Sequence, residues 1–313
     1  MSEIKLLCSN TNRELAEKIA KVVKVKLTEL EVKTFSDAET YVSIKETVRG
    51  DDVFIIQPAS GNTNGDIIEY LLIIDAVRRS SGRSITAVIP YFFYGRQEKQ
   101  MGPREPISAK LYANLLSVAG VDRVVTVNLH SGTIQGFFDI PVEHLTMIPK
   151  LADYFKKMRL PDPVVVSPDA GGAKRARFMA KLLEAPLVVI DKRRERHNQV
   201  AEMFVIGEVA GKTAIIVDDI IDTAGTVTEA AEVLKTKGAK DIYIAAVHPV
   251  MSGPAYDRVN GSAVKELVVC DSIPVDMARS KKIRRVSMAP TIGEAIRRIY
   301  ENKALTDMYK VMI

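Results

Sequence analysis

Short apolar runs rich in Val and Ile alternate along the chain with amphipathic stretches. The runs predict strands over Ile4–Cys8, Val53–Gln57, Ile85–Pro90, Arg123–Asn128, Val164–Ser167, Leu187–Ile190, Ala214–Asp218, Ile242–Val247 and Glu266–Cys270. They are β-branched and nearly continuous, as strands covered on both faces should be. The amphipathic stretches predict helices over Arg13–Val23, Asp66–Arg79, Ser108–Val118, Ala173–Leu183, Thr226–Lys237 and Gly293–Tyr300. Alternation of this kind over the whole length specifies an α/β fold, with mainly parallel sheets flanked by helices.

The pattern contains an internal echo. Ile55–Gly61 (IIQPASG) and Val165–Gly171 (VVSPDAG) are each followed by a helix. Val88–Arg96 and Val188–Arg194 each run from a strand into basic residues, and Val124–Gly132 and Ile215–Gly225 each run into a polar loop. The order reads as two copies of one α/β unit, meeting near Met147–Pro149. A length of 313 residues agrees, at roughly 150 residues per domain. No low-complexity segment or long linker separates the halves, so they are expected to pack tightly.

Composition narrows the chemistry. An apolar fraction of 47% and a charged fraction of 27% are those of a globular chain. With 2 Cys, Cys8 and Cys270, neither a disulfide framework nor a Cys-rich zinc site can form, and buried thiols in a reducing, cytoplasmic setting are expected. The net charge of +5 suits anionic small molecules as well as nucleic acid. No aromatic-and-basic stacking motif or helix-turn-helix is present, so nucleic acid is not expected. No apolar run is long enough to span a membrane, and the N-terminus lacks a secretory core.

The strongest local signal is Ile215–Thr226, IIVDDIIDTAGT. A buried strand ends in Asp218 and Asp219, then a turn of small and hydroxylated residues, Asp222, Thr223, Ala224, Gly225 and Thr226, opens a helix. Backbone N–H groups of such a loop and the helix N-terminus form a phosphate cradle beyond the strand ends. Paired carboxylates beside a phosphate site make sense if they hold sugar hydroxyls or a bound Mg²⁺. A helix cap at Asp222 or Thr223 accounts for one polar residue but not for the Asp-Asp pair. Gly207–Thr213 (GEVAGKT) imitates a P-loop but is one residue short and precedes a strand, so it is a turn.

The loop resembles the phosphoribosyl-pyrophosphate motif shared by type I phosphoribosyltransferases and ribose-phosphate pyrophosphokinases. The rest of the chain is similar to the second family, in order: Phe35–Glu39 (FSDAE), Tyr91–Gln97 (YFFYGRQ), Arg104–Lys110 (REPISAK), Asn128–His130 (NLH), Gln135–Pro141 (QGFFDIP), Ser167–Gly172 (SPDAGG) and Asp191–Arg194 (DKRR). The resemblance runs almost end to end. It implies two tandem type I phosphoribosyltransferase-like domains. Residues 1–147, joined by the C-terminal helix, would place ATP, and residues 148–313 would place ribose 5-phosphate. The implied reaction is ATP + ribose 5-phosphate → AMP + phosphoribosyl pyrophosphate.

The resemblance also assigns roles. Lys192 would stabilise the transition state and Arg194 would contact phosphate, both on the polar stretch Lys192–Gln199, expected to be a mobile loop. Asp37, Glu39, Arg96, Gln97 and His130 would bind ATP. Asp218, Asp219, Asp222, Thr223, Ala224, Gly225 and Thr226, with Arg194, would bind ribose 5-phosphate. His130 and Asp169 would hold Mg²⁺, and Asp169 is chemically the easier ligand because that ion prefers oxygen. His144, His197 and His248 read as structural or loop residues.

The resemblance further implies a homohexamer built from dimers, and its family includes a class activated by phosphate. Departures are Ala38, where the family usually has Gly, Gln100–Pro103 in place of a charged run, and a tail, Ala304–Ile313, without the Ser-rich ending of the phosphate-regulated class. A non-catalytic regulatory relative is disfavoured by intact Lys192, Arg194, His130 and Asp169. A phosphoribosyltransferase is disfavoured by the second half-repeat.

Overall fold

In the computed structural model, which describes residues 2–9, 11–57, 59–193 and 202–309, the first half runs β1 (Ile4–Cys8), α1 (Arg13–Val23), β2 (Leu30–Thr34), β3 (Thr40–Ile44), β4 (Asp52–Ile56), α2 (Thr63–Arg79), β5 (Ser84–Ile89), α3 (Ser108–Ala119), β6 (Arg123–Val127), a 3₁₀ turn (Gly132–Phe137), β7 (Val142–Leu145) and α4 (Ile148–Met158). The second half runs β8 (Pro163–Ser167), α5 (Ala173–Leu183), β9 (Leu187–Arg193), β10 (Glu202–Ile206), β11 (Thr213–Ile221), α6 (Gly225–Thr236), β12 (Asp241–Pro249), α7 (Ala255–Gly261), β13 (Glu266–Cys270), a 3₁₀ turn (Met277–Arg279), β14 (Ile283–Val286) and α8 (Ala289–Tyr300). A short turn of helix, Thr306–Tyr309, follows.

The first sheet is parallel throughout, in the order β1-β4-β5-β6-β7. The second is ordered β10-β9-β8-β11-β12-β13-β14, and only the β9–β10 pair is antiparallel. β2 and β3 form a separate antiparallel hairpin. Position by position, β1, β4, β5, β6 and β7 match β8, β11, β12, β13 and β14. The helices after them match too, down to the 3₁₀ turn before the last strand. The repeat is therefore real, but its register differs from the echo in the residues, which set β4 against β8 and β6 against β11. β4, β6, β8 and β11 each lead into a turn rich in small and polar residues, so a few shared letters align the wrong pair.

Packing explains why the halves need each other. α1 presents Leu15, Ala16, Ile19, Ala20 and Val23 on one face and pairs Arg13 with Glu17 and Glu14 with Lys18 on the other. That apolar face meets Ile292, Ala295 and Ile296 of α8, from the opposite half, while α4 of the first half packs on α5 of the second. Leu6, Phe54, Val88 and Val125 of the first sheet and Val165, Ile215, Tyr243 and Val268 of the second share this one core. α2 and α3 cover the outer face of the first sheet, and α6 and α7 that of the second.

Several elements escape the sequence pattern. β2 and β3 (LEVKT, TYVSI) are half-buried at most positions, fully buried at none, and mixed in polarity. β7 and β14 (VEHL, IRRV) are four residues long. α4 carries a proline in its first turn, a favoured helix start, which from the sequence reads only as a boundary. Two differences touch functional residues. β11 continues to Ile221, so Asp218 and Asp219 lie within the strand and not at its end. β9 continues through Lys192 and Arg193, whose backbones pair with Met203 and Glu202 of β10. The backbone of Lys192 is thus strand and not loop, held by a hairpin the sequence pattern does not reveal.

Candidate active site

A cavity of about 250 Å³ opens where β11 hands over to α6. Asp218, Asp219, Asp222, Thr223, Ala224, Gly225 and Thr226 line one side, with Asp169 from the turn after β8. Arg96 and His130, from the turns after β5 and β6 of the other half, line the rest. Ala224 occupies the cap position of α6 with φ 61°, and its methyl group cannot accept from the first-turn N–H groups. Neither Asp222 nor Thr223 is the cap, so the positive end of the helix faces the cavity. Arg258 donates to the Thr223 carbonyl at 3.0 Å. A Cβ at Gly225 would stand 3.2 Å from that guanidinium, a reason for glycine there.

A charge network forms the floor. Arg175, in the first turn of α5, reaches Asp218 and Asp219 at 3.0 Å each. His130 Nδ1 lies 2.7 Å from the other Asp219 oxygen. Burial, reinforced by the neighbouring Asp219, raises the Asp218 carboxyl well above the carboxylate range. Burial also acts to raise Asp219, but the His130 hydrogen bond and the Arg175 charge outweigh it and hold Asp219 ionised. The same hydrogen bond raises His130, against the opposing effect of its burial. The pair therefore shares one negative charge more readily than two.

Asp222 accepts from Arg96 at 2.7 Å and from the Ser252 hydroxyl. Burial acts to raise its pKa, and these two partners bring it below the usual range. Asp169 Oδ1 accepts from the Gly172 N–H at 2.7 Å, closing the turn after β8. Gln97 does not line the cavity; its side chain accepts from Ser108 at the start of α3. Asp37 and Glu39 sit at the exposed tip of the β2–β3 hairpin, where Asp37 accepts from the Glu39 N–H at 3.1 Å. Ala38 between them has φ 72°, a conformation that suits the glycine usual there. Arg194 and the rest of the Lys192–Gln199 stretch lie outside the described residues beyond Arg193.

Among the described residues no three His, Cys, Asp or Glu side chains converge as a metal cage. Asp169 offers a carboxylate suited to a hard cation, whereas His130 Nδ1 is engaged by Asp219. A Mg²⁺ held mainly by substrate phosphates fits such a sparse donor set.

Arg175, Ser252 and Arg258 belong to the site's framework and are not evident from the sequence pattern. Arg175 alone leaves a trace. Lys174, Arg175 and Arg177 open α5 at its positive end, where cations are unfavourable unless anions face them.

Two family models match the chain: the N-terminal domain of ribose phosphate pyrophosphokinase over residues 4–120, and the phosphoribosyl synthetase-associated domain over residues 194–310. The ribose-phosphate pyrophosphokinase of Bacillus caldolyticus is 50% identical over 98% of both chains. That of Aquifex aeolicus is 49% identical over 99% of this chain and 100% of its own. The crystal structure of phosphoribosylpyrophosphate synthetase from Mycobacterium smegmatis superposes with a TM-score of 0.91 at 39% identity, covering 96% of this chain and 100% of that one.

Proposed function

Since the chain belongs to the ribose-phosphate pyrophosphokinase family, we propose how its own residues divide the transfer of the β,γ-pyrophosphoryl group of ATP to the C1 hydroxyl of ribose 5-phosphate. The observation that carries the reading is the uncapped start of α6, set in one cavity with Arg96 and His130 from the opposite half. The Thr223–Thr226 backbone and hydroxyls receive the 5-phosphate. Asp218 and Asp219 accept from the ribose hydroxyls. Arg96 turns from Asp222 to the ATP phosphates, and His130 and Gln97 lie on the same side. Asp169, with His130, would hold Mg²⁺, which when bound neutralises phosphate charge.

Lys192 and Arg194 supply cations to the developing charge of the transition state. Residues 1–147 with α8 form the ATP side and 148–313 the sugar-phosphate side. Asp37 and Glu39, on the exposed hairpin with Phe35 and Tyr41, meet ATP from a neighbouring copy in a homohexamer. Ile68 and Leu72 of α2 and Leu111, Leu115 and Val118 of α3 are exposed at 38–77% and give self-association an apolar face. Two buried, unpaired cysteines suit a cytoplasmic setting. No helix among the described residues is long and apolar enough to cross a membrane. The departures at Gln100–Pro103 and in the tail set the chain apart from the phosphate-activated class.

The reaction is tested by its products. Purified protein with Mg²⁺, ATP and ribose 5-phosphate is expected to release AMP in step with phosphoribosyl pyrophosphate; ADP as the nucleotide product overturns the reading. Leu111→Glu with Leu115→Glu is expected to lower the assembly's mass in light scattering, and an unchanged mass removes the α2–α3 face from the interface.

A further inference from the structure

His130 is presented to the site by an unusual piece of backbone. Asn128, two residues before it, has φ 41°, in the left-handed region. Its side chain is committed locally, accepting from the Met147 N–H at 2.7 Å and reaching Thr146 at 3.4 Å. The main chain on either side is gripped by two imidazoles. His248, 1% exposed and carried by β12 of the opposite half, points Nε2 at the carbonyls of Val127 and Asn128, 3.1 and 3.2 Å away. Carbonyls only accept, so Nε2 carries the proton, and the bare Nδ1 takes the Ser272 hydroxyl at 3.0 Å. His144, on β7, shows the opposite polarity: its Nε2 accepts from the Leu129 N–H at 2.9 Å and so carries no proton. The Tyr91 ring closes against His248 at 5.0 Å.

We propose that His144 and His248 are positioning residues for the pyrophosphoryl transfer, one as acceptor and one as donor, fixing the Val127–Leu129 backbone so that His130 meets Asp219. Their uncharged state is what lets them bind with opposite polarity, and burial favours that state in both. Neither lines the 250 Å³ cavity; His144 borders a second cavity of about 680 Å³ that shares His130, but its Nε2 is taken by the Leu129 N–H. His248 also ties His130 to the opposite half, which supplies Asp219, so the two partners are placed by one contact. The inference rests on the reading of the site given above; AMP formation by the unaltered chain tests that reading separately.

The experiment is steady-state AMP formation by folded enzyme, measured below each variant's Tm. His248→Leu, which removes the donor, is expected to lower kcat about tenfold or more, because small displacements of a reacting group are costly. It should raise KM for ATP more than KM for ribose 5-phosphate, because Asp219 keeps its Arg175 contact. His248→Gln, whose amide can still donate, is expected to keep kcat within about threefold of the unaltered enzyme. His144→Leu and His144→Gln should divide in the same way, the glutamine oxygen replacing the imidazole acceptor. Leucine variants that lose Tm but keep kcat and both KM values, glutamine variants as impaired as the leucine ones, or equal rises in both KM values, overturn the proposal. If His248→Leu does not fold, the His144 pair decides by the same criteria. If neither leucine variant folds, His248→Asn, with a shorter donor, is expected to show the KM split, and its absence overturns the proposal.

Discussion

His144 and His248 are held uncharged, and that choice has a measurable consequence in acid. In the unfolded chain each takes up a proton near its ordinary value of 6.5, whereas burial lowers each to about 4 in the fold. Between those values the unfolded chain binds a proton that the folded chain does not, so stability rises with pH. Each histidine contributes a slope of about 1.4 kcal/mol per pH unit, complete above 6.5 and lost as pH falls towards 4. His130 runs the other way: its pKa is raised by Asp219, so its contribution is present below 6.5 and fades as pH climbs through the raised value. Urea unfolding of the free enzyme between pH 7 and pH 5 should show these slopes, and His248→Gln should reduce the loss by about 1.4 kcal/mol per unit. An unchanged slope would mean that His248 titrates alike in both states. Residues of this kind were hidden from the sequence for a physical reason. Asp218 to Thr226 announce themselves because the chemistry lies within one strand, turn and helix. His248 acts on carbonyls 120 and 121 residues away, and Arg175 on a carboxylate 43 residues away.

At the scale of elements, the strands and helices that bury a full face were legible, and those that do not were missed. β4 is buried at every position and α1 carries a clean apolar stripe. The β2–β3 hairpin and the edge strands β7 and β14 have too little apolar surface to show a period. The start of α5 lies between these cases. Its cations can be read as a misplaced charge until β11 is set beside them. Arg175 joins the two elements, with 17% of its side chain exposed and a carboxylate on each arm. Arg175→Met removes the cation and leaves Asp218 and Asp219 against each other. The loss should be about 3 kcal/mol in urea unfolding at pH 8, as for other broken buried pairs. It should be smaller at pH 6, because Asp218, already raised by burial, takes up a proton and relieves the repulsion. A variant as stable as the parent at pH 8 would show that the dyad is neutralised by other means.

At the scale of the molecule, the two halves repeat each other and then exchange their last helices. Each final helix leaves its own half to cover the first helix of the other, α4 on α5 and α8 on α1. Polar contacts follow the same exchange: Tyr300 of α8 donates to the Ser2 carbonyl, Tyr154 of α4 to Glu266 of β13, and Arg285 pairs with Glu14. The site depends on this arrangement, because Arg96 and His130 reach Asp222 and Asp219 only if the halves are locked face to face. A chain cut at residue 147 leaves its first half without its own α4 and without α8 of the other half. Leu6, Phe54, Val88, Val125, Ile19 and Val23 would then face water. At about 2 kcal/mol for each large side chain uncovered, the penalty reaches the whole stability of an ordinary domain. Residues 1–147 expressed alone should therefore give no cooperative thermal transition by circular dichroism. Adding residues 148–313 in trans should restore the transition, and with it AMP formation. A cooperative melt of 1–147 by itself would show that the first half closes its own core, and that the exchange of helices serves the site rather than the fold.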